Sequence, residues 1–264
     1  MIKLKGGIGV VITLLLIGCK TVTIPQSSGK IIEPSSVYKQ QAENMEKGIY
    51  FRGSGTEPDW NLKISETAIE FTSLKPGCED LTVKHVEPIR AMDANVKMYR
   101  TTTEVGTMTV QIMQQVCTNA MSGAQSSYSV RIDFEKNGET IHLNGCGNYV
   151  TDYRLNDIWV LEKLNGENVS VADFAKELPN LEINTQENKL SGYAGCNRMT
   201  GSIFFERGLL RFTNVISTRR ACIGNNKESI FLKALQSTTN YSIENNRLIL
   251  NNPSGVELVF KKVD

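Results

Sequence analysis

Residues 128–144 read Tyr-Ser-Val-Arg-Ile-Asp-Phe-Glu-Lys-Asn-Gly-Glu-Thr-Ile-His-Leu-Asn. Val130, Ile132 and Phe134 fall on one side of an extended chain, with Arg131, Asp133 and Glu135 on the other. A period of two marks a half-buried β-strand. Asn137-Gly138 then supplies two residues that accept positive φ, as a tight hairpin turn requires. Thr140–Asn144 alternates again. The stretch is therefore a hairpin, and it predicts an antiparallel sheet.

The same alternation recurs before it, at Ile49–Arg52, Trp60–Ile64, Ala68–Ser73, Leu81–Val86, Val96–Thr102 and Met108–Gln114. Lys75-Pro76-Gly77 is a turn signal between strands. Region 48–150 thus reads as one antiparallel sheet, closed or nearly so. A second β-rich unit spans 153–264. Its strands are expected at Trp159–Leu164, Leu181–Asn184, Lys189–Tyr193, Ser202–Phe205, Leu209–Thr213, Tyr241–Ile243, Arg247–Leu250 and Val256–Lys261, with turns at Glu187-Asn188, Arg207-Gly208 and Asn245-Asn246. One helix interrupts them, Asn226 to Ser237, with Ile230, Phe231, Ala234 and Leu235 as its apolar face, Asn225 or Asn226 as cap and Glu228 near its positive end. The fold class is mainly β: two small antiparallel barrel-like domains, the second with one α-helix.

The N-terminus reads as an address. Lys3 and Lys5 precede an apolar run from Ile8 to Ile17, which ends in Leu16-Ile17-Gly18-Cys19. A membrane-spanning helix needs roughly 20 apolar residues, so this run suits a cleaved signal peptide better. The ending resembles the lipobox of bacterial lipoproteins. That resemblance implies a signal peptide at 1–18, cleavage before Cys19 and a lipid on its thiol; the other reading is an uncleaved anchor with an incidental Cys. By the same resemblance, Lys20 rather than Asp after the lipidated Cys implies the outer membrane, so the expected location is the bacterial cell envelope. Residues 20–34 carry Pro, Ser and Gly without hydrophobic period and read as a tether. A short helix follows from Ser36 to Lys47, with Tyr38, Ala42 and Met45 on one face and Gly48 as its stop; tether and helix together make up 19–47.

The 264 residues include 29 basic and 28 acidic side chains. Loss of Lys3 and Lys5 with the leader leaves a net charge of −1. A nucleic-acid binder would carry a large positive excess, so nucleic acid is not an expected partner. Two histidines, His85 and His142, leave little material for imidazole chemistry. His85 shares a face with Leu81 and Val83 and reads as a core or rim residue; His142 reads as solvent-facing. No metal-ligand spacing, nucleophile motif or phosphate loop stands in the chain, and no metal or cofactor is expected. Glu57 and Asp59 could imitate a glycosidase pair on a strand, but Pro58 between them argues for a turn.

From Trp159 onward the chain resembles the META (HslJ-like) domain family. The matching residues are Trp159-x-Leu161, Leu190-Ser-Gly-Tyr-Ala-Gly-Cys-Asn-Arg198, Phe212 and Ser217-Thr-Arg-Arg-Ala-Cys222, followed by a helix with Glu228, Phe231 and Leu235. Arg220 stands where the family often has Met. The resemblance implies a small barrel-like domain with a helix, found in envelope and secreted proteins, linked to stress and without an accepted catalytic activity. Residues 53–60, Gly-Ser-Gly-Thr-Glu-Pro-Asp-Trp, with Cys117-Thr-Asn-Ala-Met-Ser122 and Leu143-Asn-Gly-Cys-Gly147, are similar to an uncharacterised bacterial envelope family.

Five cysteines remain beyond Cys19, so one stays free or pairs with another chain. On the two resemblances, Cys117 pairs with Cys146 and Cys196 with Cys222, each bridge stabilising by about 3 kcal/mol in the loop-entropy model. Reduced thiols in contact are the alternative, and Cys78 is the odd one. If Cys196 and Cys222 are joined, Asn197, Arg198, Arg219 and Arg220 gather around one bridge. They form a candidate polar binding cluster, or else Asn197 serves the turn and the arginines pair with carboxylates. The expected function is a non-enzymatic, membrane-tethered binding or stress-protective module for an unknown peptide, lipid or protein partner. The alternatives are an assembly factor for envelope or secretion components and an unrecognised hydrolase.

Overall fold

A computed structural model describes residues 36–222 and 226–263. The leader, Cys19 and the tether lie outside the described residues. Helix α1 (Ser36–Glu46) comes first and ends as Gly48, at φ 67°, donates its N–H to the Met45 carbonyl. Eleven strands follow: β1 (Ile49–Gly55), β2 (Trp60–Ser65), β3 (Ala68–Ser73), β4 (Leu81–Lys84), β5 (Ile89–Arg90), β6 (Val96–Thr103), β7 (Gly106–Met113), β8 (Cys117–Thr118), β9 (Gln125–Ser126), β10 (Tyr128–Lys136) and β11 (Glu139–Tyr149). Nine of them form one antiparallel sheet in the order β4-β3-β2-β1-β11-β10-β7-β6-β5, and β8 and β9 pair separately. The β10–β11 turn is the expected one, with Asn137 and Gly138 at φ 53° and 83°.

The sheet curls into a half-barrel around Phe51, Trp60, Phe71, Tyr99, Met108 and Phe134. Tyr50 of β1 draws the two ends of the curl together. Its hydroxyl lies 2.8 Å from Nε2 of His85, just past β4, and donates to the Tyr99 hydroxyl of β6 at 3.3 Å. The glycines flanking this core answer to close approach. Trp60 lies against Gly55 and Gly145, where an added Cβ would sit 2.1 Å from the indole Nε1 and 2.5 Å from Cζ2 respectively. A side chain at either position would push the ring out of the core.

The second half carries nine more strands: β12 (Ile158–Leu164), β13 (Glu167–Asn168), β14 (Asn180–Asn184), β15 (Lys189–Tyr193), β16 (Arg198–Glu206), β17 (Leu209–Ser217), β18 (Asn240–Glu244), β19 (Arg247–Asn251) and β20 (Glu257–Lys262). The sheet order is β17-β16-β15-β14-β12-β20-β19-β18, with β13 beside β12, and all pairs are antiparallel. Helix α2 (Glu228–Ser237) packs on β17 and β20 and drives Phe231, Ala234 and Leu235 into the core. Ile230 differs from expectation and is half exposed, so the apolar stripe is narrower than the sequence suggests. No helix among the described residues is long and apolar enough to cross a membrane.

The two half-barrels are packed against each other within one compact unit. Asp152, buried in the joint, receives the Arg154 guanidinium and the Tyr241 hydroxyl at 2.7 Å and 2.9 Å. Helix α1 reaches the second half. Tyr38 meets Tyr153 edge to face at 5.1 Å, and Gln41 exchanges hydrogen bonds with Thr185 of the second half.

Candidate functional site

The two motifs of the second half meet at one polar hub. Cys196 and Cys222 are joined, with Cα atoms 6.0 Å apart. Asn197 is buried beside them, and its amide is fully engaged. Its oxygen accepts from the Thr218 hydroxyl at 2.8 Å and the Arg220 N–H at 2.7 Å. Its backbone N–H and side-chain Nδ2 donate to the two carboxylate oxygens of Glu228 at 2.7 and 2.9 Å. Glu228 opens helix α2, where a carboxylate also favours the positive helix end. Its own N–H donates to the Asn226 side chain, although the cap position itself is held by Lys227 and not by Asn226 as expected. The hub therefore ties the turn before β16, the segment after β17 and the helix start into one corner.

Arg198, Arg219 and Arg220 surround that corner with exposed side chains. They make no ion pair among the described residues, unlike the carboxylate pairing that was the alternative. Cys117 and Cys146 are joined as well, Cα to Cα 5.4 Å, and Cys78 is a buried free thiol whose pKa burial pushes up. His85 lies on the rim of the first core and His142 is exposed beside Asp133 and Arg131. Glu57 and Asp59 sit in the turn between β1 and β2.

A second hub lies at the seam, formed by the tip of the β16–β17 hairpin. Phe204 and Phe205 pack against the first core. Glu206 enters the first half and accepts from Lys97 Nζ at 2.6 Å, the Tyr128 hydroxyl at 2.6 Å and Asn95 Nδ2 at 2.7 Å. The Lys97 and Glu206 side chains are 9% and 10% exposed, which makes this a buried ion pair. Lys97 also lies over the Tyr149 ring, 4.9 Å from its centre. Burial raises the pKa of Glu206, but the bonds from Lys97, Tyr128 and Asn95 outweigh it and hold the carboxyl below its ordinary value. Burial, and after it the same carboxylate, pushes the Tyr128 hydroxyl well above its ordinary range. Arg207, the next residue, pairs with Glu66 and Glu87 and lies 4.8 Å from the Tyr50 ring centre. The sequence reading missed this hub. Its one signal was Lys97, a charge in phase with the inward-facing Tyr99.

On the outer side of the seam lies a groove of about 510 Å³. Its floor is the face of β1 and β11, where Arg52 opposes Asn148. One wall is α1, another is the β8–β9 hairpin pinned by Cys117–Cys146, and the third is the turn at 185–188 of the second half. No Asp, Glu, His or Lys lines it, and its one cysteine, Cys146, is bonded. The residues that line the groove include no side chain whose ordinary pKa lies near neutral pH.

Residues 155–264 match the META domain. The match covers the second half-barrel and includes both motifs of the Asn197 hub. Two solved structures are similar over the same share of the chain. One is an NMR structure of a protein from Burkholderia xenovorans, 26% identical, covering 41% of this chain and 82% of its own, with a TM-score of 0.34. The other, also by NMR, is 22% identical, covers 41% and 90% respectively, and has a TM-score of 0.34. No curated protein matches.

Proposed function

We propose that the mature chain is a lipid-anchored protein of the bacterial cell envelope, tethered to the outer membrane through Cys19, and that its folded part is a non-enzymatic, stress-protective binding module. The seam groove carries this reading, because its lining offers hydrogen-bonding amides and hydroxyls with no Asp, Glu, His, Lys or free Cys beside them to activate one. The two disulfides support an oxidising compartment, as beyond the inner membrane. The leader and lipobox residues supply the route there.

An intact mass of protein purified from membranes, denatured without reductant, tests the address. A lipid increment on Cys19 and one blockable thiol, Cys78, are expected. Five blockable thiols and no lipid would overturn the reading. Turnover in a broad hydrolase panel would remove its non-enzymatic part.

A further inference from the structure

We infer that the seam groove is a recognition site for a neutral oligosaccharide. The inference rests on the binding-module reading above and names its ligand class. Twenty residues line the groove, and eight of them are Asn or Gln. Only one, Arg52, is charged, in a chain that is 22% charged overall. By that average about four charges would be expected there, so the lining is neutral by composition.

A carboxamide offers two donor hydrogens and an acceptor oxygen on one flat group. A sugar hydroxyl both donates and accepts, and an N-acetyl group is itself an amide. Clustered carboxamides therefore match a polyhydroxylated or N-acetylated surface and give little to an ion. Gln40 and Asn44 lie one turn apart on α1, Asn148 stands on the floor strand β11, Asn61 on the neighbouring β2, Gln125 comes from the pinned hairpin and Asn188 from the second half. The site thus needs both halves and α1 in place. Its volume falls within the usual range for ligand sites.

An extended peptide fits less well. The floor is a sheet face, and β1 and β11 are hydrogen-bonded on both sides, to β2 and β10. Neither floor strand therefore has an open edge for main-chain pairing, which is the usual source of affinity for extended peptides. An acidic ligand would meet a single countercharge, Arg52, and a basic ligand would meet none.

The test is titration calorimetry on the full mature chain with three probes: the β-1,4-linked tetramer of N-acetylglucosamine, maltotetraose and a neutral ten-residue peptide. Saturable binding of either oligosaccharide at or below about 1 mM is expected. The double variant Asn61→Ala, Gln125→Ala, whose two residues are exposed, should weaken it at least about tenfold while keeping the wild-type melting temperature. Each removes side-chain atoms without opening the core. Binding of neither sugar, or sugar binding unchanged in the double variant, overturns the inference. Binding of the peptide alone also overturns it but leaves the binding-module reading standing. Shortening of either tetrasaccharide by the protein would instead sink the non-enzymatic reading.

Discussion

Strand β16 carries a polar hub at each end, and the two are built on opposite principles. Asn197 precedes the strand and Glu206 ends it. Asn197 is neutral, and its partners all lie in its own half, within a turn and a helix start. Glu206 is charged, and its partners Asn95, Lys97 and Tyr128 all lie in the other half. One hub closes a half-barrel on itself, and the other fastens the two halves together. A neutral amide satisfies a local corner at little desolvation cost. A buried carboxylate is stable only where the opposite wall supplies countercharge and donors together, so it specifies its partner surface.

The contrast can be broken most directly at Glu206. Glu206→Ala leaves Lys97 buried without its countercharge and should cost about 3–5 kcal/mol in urea denaturation. The effect depends on pH. Because the folded carboxyl titrates below its ordinary value, the stabilisation is complete above the unfolded carboxylate range and is lost as pH falls through the lower folded value. Acidification below about pH 4.3 should therefore narrow the gap between wild type and variant. A gap that stayed constant down to pH 3 would contradict the ion pair.

Asn197→Ala comes next. It removes the acceptor for Thr218 and the Arg220 N–H and one donor to Glu228, and should cost about 2 kcal/mol. Hydrogen exchange should quicken around α2 and the start of β16 and leave β1, β10 and β11 protected. Equal loosening of both halves would erase the distinction between the hubs.

Arg207→Ala sharpens the comparison by its smallness. Its guanidinium is 38% exposed, so its pairs with Glu66 and Glu87 and its contact with Tyr50 together should contribute about 1 kcal/mol or less. In 1 M salt that contribution should fade, while the Glu206 effect persists. A salt-resistant loss at Arg207 would mean that the hairpin tip is gripped by more than one residue.

Much of the fold was legible because its signals are local. The strands from Val130 to Phe134 and from Leu190 to Tyr193 alternate, and Asn245-Asn246 turns with both residues at φ above 50°. The strands of two residues, such as β5 and β8, are too short to show any period. The disulfide pairs and the Asn197 hub were reachable because their residues sit inside two motifs. The seam was not. Glu206 and Lys97 are 109 residues apart, and each alone reads as an ordinary surface charge. The groove was hidden for the same reason: Gln40, Asn148 and Asn188 are unremarkable polar residues until the two halves and α1 bring them together.

The hairpin tip also limits how this gene could be reshuffled. A second half taken from another protein could be spliced behind this first half only with its own hairpin tip at the seam. Unless its corresponding hairpin ended in an acidic residue of the same facing, Lys97 would be left without a countercharge. A one-residue insertion in β16 would have the same effect, since it turns Glu206 to the opposite side of the strand. The two halves are heritable as a matched pair rather than as interchangeable cassettes.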